Sequence, residues 1–505
     1  MKKIKELFKK YKFAICIFLI VSVVVHIPLI TDNILTADVL LNTGYYSGYA
    51  WEISLGRFGL YFLGLFKGFL VIPNVEFFLS ILLLLSSYIS LLEIFDIKGK
   101  VVQVFLGVLL AVSPIVSATL LFNYCSLAYL LAFFLSICSI YLLVFAKNKI
   151  IKYLLPVLFI AIALSMYQAY LAVILTLLLL FDMIQLLRKK FSFKVFFKYL
   201  GIVVLGTLLY YLLMKLSLII FNIDMSSYRG ANTFDIKTIL EIPGRIKDAY
   251  ISFYQFYFTD TIVNNTNVWM NVLNIGLFIL FLVGIIYNFV KRKISWKKIL
   301  LFIIFLLILP IMVNVVTILF SDTTMQLLMS SSYLLLFFLI AYLAYDNKIL
   351  NIFLVIIFCF MIRGYIIQDS STYQNLAITY QKTYDIASDI NDKIKEIGYK
   401  KEIMITGSLD QNKYYTRKNK TEISNISNYI YGFVSNYSLF WDEYTNMKNG
   451  WSRFMELYLG SSINFISEDK YQEILKTDEF NNMKIYPDED SVKVINDVIV
   501  VKLAN

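Results

Sequence analysis

Apolar runs close to twenty residues long recur along the first three-quarters of this chain. A helix needs about 20 consecutive apolar residues to cross the hydrocarbon core of a bilayer. The 505 residues are 59% hydrophobic and only 16% charged, whereas a soluble domain carries roughly 25% charged residues. The sequence therefore predicts an α-helical, polytopic membrane protein.

The apolar runs predict eleven transmembrane helices. The connections "DIKGK", "KNKIIK", "RKKFSFKVFFK" and "KRKISWKK" are basic, and they all fall on the same side if the runs alternate across the bilayer. The positive-inside rule makes that side, and with it the N-terminus, cytoplasmic. Because this pattern accounts for the net charge of +11, no nucleic-acid partner is expected. The predicted spans are 13–30, 75–95, 101–121, 126–146, 151–166, 168–187, 199–221, 269–290, 299–319, 325–345 and 348–368.

The composition changes after residue 368. The segments "KEIMITGS" and "DVIVVKL" are typical of strands, and "SEDKYQEILKTDEF" is typical of a helix with a serine at its start. We therefore expect a transmembrane domain over 1–368 and a small α/β domain over 369–505. An odd number of spans places the second domain on the extracytoplasmic side.

Two predicted outer loops carry most of the polar candidate residues. The first loop, 31–74, includes a short glycine-containing apolar segment, 58–73, which is predicted to be an interfacial or re-entrant helix. The large loop, 222–268, contains the aromatic run "YISFYQFYF". Aromatic residues among polar ones suit sugar stacking, but they also suit a belt at the membrane interface.

The first outer loop carries Asp38, Glu52 and Arg57. Asp38 is either a solvated or helix-capping carboxylate or a general base. Glu52 and Arg57 are either a surface pair, worth about 0–1 kcal/mol, or a carboxylate beside an arginine that holds a phosphate. The single histidine, His26, lies in the first predicted span. Proton chemistry is therefore expected from carboxylates.

Further cations and polar residues are predicted near the same outer surface. Lys215 and Arg363 lie within spans near the outer ends, where they either snorkel to the headgroups or bind an anionic headgroup. The remaining candidates are Arg229 for the phosphate and Trp51, Tyr167, Gln168 and Tyr228 for the substrate. Tyr167 and Gln168 form a tight outer turn between two spans. This set suits the joining of a lipid-carried phosphate sugar to a water-soluble acceptor.

Two other functions remain open on these residues. A glycan polymerase or ligase that uses diphosphate-linked oligosaccharides also needs outer loops and arginines, although the long C-terminal domain fits it poorly. A non-enzymatic lipid-glycan transporter would need a polar path through the spans, where charged residues are few.

Four sequence features together carry a family resemblance. They are Trp51 and Arg57 in "AWEISLGR", "SP" in "AVSPIVSATLLF", "YQ" in "SMYQAYL", and the ending "MKIYPDEDSVKVINDVIVVKL". They resemble the bacterial membrane glucosyltransferases of the serotype-converting type, over essentially the whole chain. The resemblance implies a GT-C-like fold in the plasma membrane of a bacterium. It also implies inverting transfer of a sugar, expected to be glucose, from polyprenyl phosphate to a cell-surface glycan.

The resemblance carries over residue by residue. It implies that Asp38 is the catalytic base, that Arg57 is the loop arginine, and that Tyr167 and Gln168 form the functional turn. Glu52 is the second catalytic candidate in the same loop. Family members often have two acidic residues where this chain has Ala37 followed by Asp38. A single base is therefore expected, and no metal ligands are assigned, although a role for Mg²⁺ or Mn²⁺ is left open.

Overall fold

The structure, a computed structural model, describes residues 2–32, 34–46, 48–228, 236–259, 268–319, 326–398, 401–407, 409, 412–414 and 444–504. The chain divides into two compact units. The first unit consists of Met1–Ile27 and Gly44–Asp369, and the second consists of Pro28–Thr43 and Ser370–Asn505. The predicted first outer loop is therefore shared between the units. The functional domains 1–368 and 369–505 stay predictions.

The described part of the chain is mainly helical. In chain order its helices are α1 (Lys2–His26), α2 (Pro28–Thr31), α3 (Ala37–Leu41), α4 (Tyr49–Ser54), α5 (Phe58–Phe66), α6 (Pro73–Phe95), α7 (Lys100–Ala111), α8 (Pro114–Leu120), α9 (Ser126–Phe145), α10 (Lys149–Met166), α11 (Tyr170–Leu187), α12 (Phe193–Phe221), α13 (Ile236–Phe258), α14 (Val268–Lys291), α15 (Trp296–Val313), α16 (Val315–Leu319), α17 (Leu335–Tyr345), α18 (Lys348–Ile397), α19 (Tyr444–Leu459), α20 (Glu468–Leu475) and α21 (Asp478–Asn481). The strands are β1 (Glu402–Thr406), β2 (Val492–Ile495) and β3 (Val498–Lys502).

Among the described residues, eight helices are long and apolar enough to cross a membrane, and the bent pair α7–α8 makes a ninth. The eight are α6, α9, α10, α11, α12, α14, α15 and α18. The polytopic helical class is thus confirmed. The predicted spans 13–30 and 325–345 correspond to α1 and to the shorter apolar stretch Ser331–Tyr345, which are not among the nine. The count of eleven therefore stays a prediction.

Helices α7 and α8 meet at a bend of 44°. Proline at the first position of α8 has no N–H to continue the helix, and the Ser113 hydroxyl instead caps the N–H of Ile115 at 3.3 Å. The Ala111 carbonyl is left without a helical donor at this break. His26, at the end of α1, contacts this carbonyl instead, and its Nε2 lies 2.8 Å from the oxygen. The only histidine of the chain thus has a structural role in the first unit.

The short helices α4 and α5 form a compact segment of the first unit. Its ends are joined by an antiparallel bridge between Tyr45 and Leu70. Helix α5 packs closely on α10, because a Cβ on Gly59 would lie 2.3 Å from the hydroxyl of Ser165. The predicted interfacial segment 58–73 is therefore a helix followed by a turn, and it packs on a membrane helix.

The predicted large outer loop, 222–268, contains a 23-residue helix, α13. This helix packs against α14, α15 and α16. Its apolar positions recur with helical spacing, so burial of one face against these helices favours helix formation over an irregular loop. The sequence analysis did not predict this helix, and the aromatic run "YISFYQFYF" lies in its C-terminal half.

The second unit contains a three-stranded sheet with strand order β1-β3-β2. β1 pairs with β3 in parallel, with Glu402 opposite Val498, and β2 pairs with β3 antiparallel. Both predicted strands are confirmed. The predicted single helix "SEDKYQEILKTDEF" is instead two helices, α20 and α21, because Thr477 starts a new helix by capping the N–H of Phe480 at 3.2 Å.

Helix α3, which carries Asp38, belongs to this second unit and packs on α19. The Arg453 side chain on α19 donates to the Thr43 carbonyl at 2.8 Å. Thr36 caps α3 by accepting from the N–H of Val39 at 3.1 Å. The short segment 28–43 is therefore fixed by its contacts to the C-terminal part of the chain.

Candidate active site

Glu52 and Arg57 form a buried ion pair in the first unit. Helix α4 carries Glu52, and a turn after the helix brings Arg57 back so that its N–H donates to the Glu52 carbonyl at 2.8 Å. Arg57 Nη1 lies 3.3 Å from Glu52 Oε2, and the two side chains are 22% and 7% exposed. The pair is thus far less exposed than the surface pair that the sequence left open.

Tyr46 forms a hydrogen bond with the other oxygen of the Glu52 side chain. Its hydroxyl donates to Glu52 Oε1 at 2.7 Å. Burial, with the negative charge of Glu52, raises the pKa of Tyr46 well above its usual value, so the phenol keeps its proton. Burial works to lower the pKa of Arg57, but the charge of Glu52 raises it above its usual value. Both oxygens of Glu52 are therefore engaged, and Arg57 stays charged.

The turn between α10 and α11 contacts the same segment. The Arg57 guanidinium lies 4.8 Å from the centre of the Tyr167 ring. Gln168 Nε2 donates to the Leu55 carbonyl at 2.6 Å and to the Tyr210 hydroxyl at 2.9 Å. The structure therefore brings together Glu52, Arg57, Tyr167 and Gln168, although more than a hundred residues separate the two sequence segments.

Gly56 makes this close approach feasible. Its φ of +77° lies in the left-handed region, which glycine adopts without steric cost. A Cβ at this position would lie 2.7 Å from the Tyr210 hydroxyl and 3.1 Å from Gln168 Nε2. The turn that aims Arg57 at Glu52 therefore requires a residue without a side chain.

Trp51 and Tyr228 form an aromatic edge beside this site. Their ring centroids lie 5.3 Å apart in an edge-to-face arrangement, and the residues are 49% and 42% exposed. The N–H of Ser226 donates to the Ser54 carbonyl at 3.0 Å, which fixes the start of the 222–268 segment against α4. These two predicted substrate residues therefore lie together, whereas Arg229 lies outside the described residues.

Lys215 and Arg363 are exposed on the membrane helices α12 and α18. Lys215 Nζ lies 5.6 Å from the ring centroid of Tyr211, one turn earlier on its own helix. This position suits the snorkelling alternative. A role for either residue in phosphate binding stays a prediction.

Asp38 is partly exposed in the first turn of α3. Thr36, and not Asp38, caps this helix, so the helix-capping alternative for Asp38 does not hold. A carboxylate in the first turn is still favoured by the helix dipole. The assignment of Asp38 as the catalytic base stays a prediction.

Sequence reasoning did not include Tyr46, Lys67 and Glu76 in the site. Tyr46 binds the Glu52 carboxylate, and Lys67 pairs with Glu76 at 2.7 Å a short distance along the same segment. The sequence offered one signal for Lys67 and Glu76, namely two opposite charges within an apolar stretch. Such charges are costly near a membrane unless they are paired. No group of three or more metal-ligating side chains is found within the described ranges.

The family model described as glucosyl transferase GtrII matches residues 30–343, well over half of the chain. The chain belongs to this glucosyltransferase family. The resemblance drawn from the sequence motifs is thereby confirmed, and the matched range contains every predicted site residue except Arg363. No curated protein and no solved structure matches the chain.

Proposed function

We propose that this member of the glucosyltransferase family transfers a sugar, expected to be glucose, from polyprenyl phosphate to a cell-surface glycan. The reaction is placed on the extracytoplasmic side of a bacterial plasma membrane. Membership of the family supports sugar transfer, and the apolar helices support a membrane-bound donor. The basic connections between the spans support the orientation.

The buried pair of Glu52 and Arg57 is the observation that carries this proposal. Arg57 Nε is buried and has no hydrogen-bond partner in the described part of the chain. A buried donor without a partner costs about 1–3 kcal/mol. A phosphate oxygen of the donor would satisfy it, and arginine suits phosphate because its N–H groups form a planar fork.

The proposed reaction is a single displacement with inversion at the anomeric carbon. The acceptor hydroxyl oxygen forms the new bond to that carbon while the bond to the phosphate oxygen breaks. The electron pair of the broken bond stays on polyprenyl phosphate, whose growing charge Arg57 stabilises. Asp38 is proposed as the base that takes the hydroxyl proton, a role worth about 10²–10⁴-fold.

The remaining site residues have supporting roles in this proposal. Glu52 positions Arg57, since both of its oxygens are already bound. Trp51 and Tyr228 offer exposed aromatic surface on which a sugar ring can stack. Tyr167 and Gln168 hold the turn that presents the arginine.

A donor assay with the purified protein tests the proposal. The protein is incubated with polyprenyl-phosphate glucose and a glycan acceptor, and free polyprenyl phosphate is measured. We expect its release, and we expect Arg57→Lys to raise the donor KM and lower kcat by about 10²-fold together, since the planar fork is lost. Turnover of diphosphate-linked oligosaccharides instead, or no release of polyprenyl phosphate, would contradict the proposal.

Arg292 supplies a matched control for Arg57. Its side chain is also 22% exposed and binds a carboxylate, Asp346, at 3.0 Å. Its guanidinium lies 5.4 Å from the centre of the Tyr342 ring. Arg292→Lys therefore removes a similar set of contacts at another place, and it should leave the donor KM unchanged.

A further inference from the structure

A second buried ion pair lies in the same segment as the first. Lys67 Nζ lies 2.7 Å from Glu76 Oε1, and the side chains are 14% and 4% exposed. Lys67 is the residue that follows α5, and Glu76 lies in the first turn of α6. Burial of two charges costs several kcal/mol per ion before their attraction is counted. This segment of the chain therefore carries two paired carboxylates and two cations.

The charge of Glu76 is offset by more than Lys67. The N–H of Ile72, the residue before α6, donates to Glu76 Oε1 at 3.1 Å. The N-terminus of a long helix also carries a positive partial charge that favours an acidic side chain in its first turn. Because the helix end compensates part of the carboxylate charge, Lys67 keeps positive charge available for another anion.

A chain of contacts through two tyrosines connects Lys67 with Glu52. Lys67 Nζ lies 3.5 Å from the Tyr124 carbonyl, and the Tyr124 ring lies 5.1 Å from the ring of Tyr46. Tyr46 in turn binds Glu52. Lys67, Tyr46 and Tyr124 all line one cavity of about 10 Å³, which is about the room that one water or one ligand oxygen needs.

We propose that Lys67 is the second cation that contacts the donor phosphate, with Glu76 as its positioning residue. This inference rests on the proposed function. The phosphate in the donor is a diester with one negative charge, and its charge grows as the sugar–oxygen bond breaks. The Lys67 ammonium group would donate one N–H to a phosphate oxygen other than the one that Arg57 contacts. It would thereby stabilise the growing negative charge and lower the barrier to sugar transfer.

Glu76 Oε2 gives a second reason to expect a ligand here. It is buried and has no hydrogen-bond partner among the residues that the structure describes. Buried polar atoms without partners are rare in folded proteins, and they often mark functional sites. A hydroxyl of the bound sugar can donate to this oxygen while the phosphate contacts Lys67.

A binding measurement on the full-length protein tests this role apart from turnover. Polyprenyl phosphate, polyprenol and inorganic phosphate are titrated separately into purified protein in detergent. The wild type should bind polyprenyl phosphate more tightly than polyprenol, and inorganic phosphate only weakly. Equal binding of polyprenyl phosphate and polyprenol by the wild type would overturn the proposed function itself. Binding of inorganic phosphate as tight as that of polyprenyl phosphate would show a site for free phosphate and overturn the inference that Lys67 contacts a lipid-linked phosphate.

The informative variant replaces both members of the pair. Lys67→Met alone leaves a buried carboxylate without its cation, and the protein then risks unfolding. Lys67→Met combined with Glu76→Met removes both charges and keeps similar volume. We expect the ratio of the affinities for polyprenyl phosphate and polyprenol to fall at least tenfold in this double variant. Lys67→Arg should keep most of that ratio. An unchanged preference in a folded double variant would overturn the inference and leave the pair as a structural one.

Lys10 and Glu93 provide the matched control. They form the ion pair at the opposite end of α6. Lys10→Met combined with Glu93→Met also removes one lysine and one glutamate charge, with Glu93 on the same helix as Glu76, and it should leave the preference for the phosphate lipid unchanged. An equal loss in both double variants would show a general effect of charge removal and would also overturn the inference.

Discussion

Substitution of Gly56 by alanine tests whether the Arg57 turn sets the activity. Gly56 has a φ of +77°, and Gly44 has a φ of +80°. Alanine in this left-handed region costs roughly 1–2 kcal/mol at either position. A Cβ on Gly44 would have no heavy atom within 4 Å, whereas a Cβ on Gly56 would lie 2.7 Å from the Tyr210 hydroxyl and 2.9 Å from Met214 Sδ. Only Gly56→Ala forces its neighbours to move.

The extra cost at Gly56 follows from the hydrogen bonds that such a movement breaks. Tyr210 donates to the Gly56 carbonyl at 3.2 Å, and Gln168 donates to the Leu55 carbonyl at 2.6 Å. At roughly 0.5–1.5 kcal/mol for each bond, Gly56→Ala should destabilise the protein by about 1–3 kcal/mol more than Gly44→Ala. Because Arg57 follows directly in the chain, its guanidinium shifts too. A shift of about 1 Å can reduce turnover roughly 10²-fold.

Two assays on the same preparations measure these effects. Tryptophan fluorescence in detergent, followed during denaturation, gives the free energy of unfolding. Release of polyprenyl phosphate gives the turnover. If Gly56→Ala matches Gly44→Ala in both assays, the close packing of Tyr210 and Gln168 on the turn does not control the site, and the reasoning is refuted.

Three further predictions concern the base, the other cations and the orientation. Asp38→Asn should fold and bind donor normally but lose about 10²-fold or more in turnover, while Glu52→Gln should cost less; the reverse order would make Glu52 the base. Lys215→Met and Arg363→Met should raise the donor KM if these residues bind phosphate, and wild-type donor kinetics in both would assign them to snorkelling. A cysteine at the exposed Gln472 should react with a membrane-impermeant thiol reagent in intact cells beyond the labelling of the parent chain, whereas labelling only after lysis would reverse the predicted topology.

The sequence was sufficient for the helical class and for the contact between Glu52 and Arg57. Apolar runs of membrane-spanning length leave a helix as the only structure that satisfies the backbone in lipid. Arg57 follows Glu52 by five positions, and one short helix with a glycine turn brings the two side chains together. Local spacing carries such information because few backbone conformations connect two residues that are this close in the chain.

Contacts between distant segments could not be derived in the same way. The sequence placed Gln168 on the same side of the membrane as Glu52, but only the packing of α10 and α12 beside α4 and α5 explains its bond to Leu55. Tyr46 was missed because one tyrosine among many carries no distinctive pattern. The grouping of 28–43 with the C-terminal unit depends on Arg453 and on the packing of α19, which lie about four hundred residues away.

The bond between His26 and the broken helix also bears on how the protein is made. A nascent chain grows at roughly 5–20 residues per second, so the 85 residues from His26 to Ala111 take roughly 4–17 s to synthesise. If α1 enters the bilayer as predicted, it does so before Ala111 has been synthesised, and the contact between the His26 imidazole and the Ala111 carbonyl cannot yet form. A polar group left unsatisfied in lipid costs several kcal/mol. Nascent chains that stall before Ala111 should therefore be held in the bilayer only loosely, and we expect membrane quality-control proteases to remove them first.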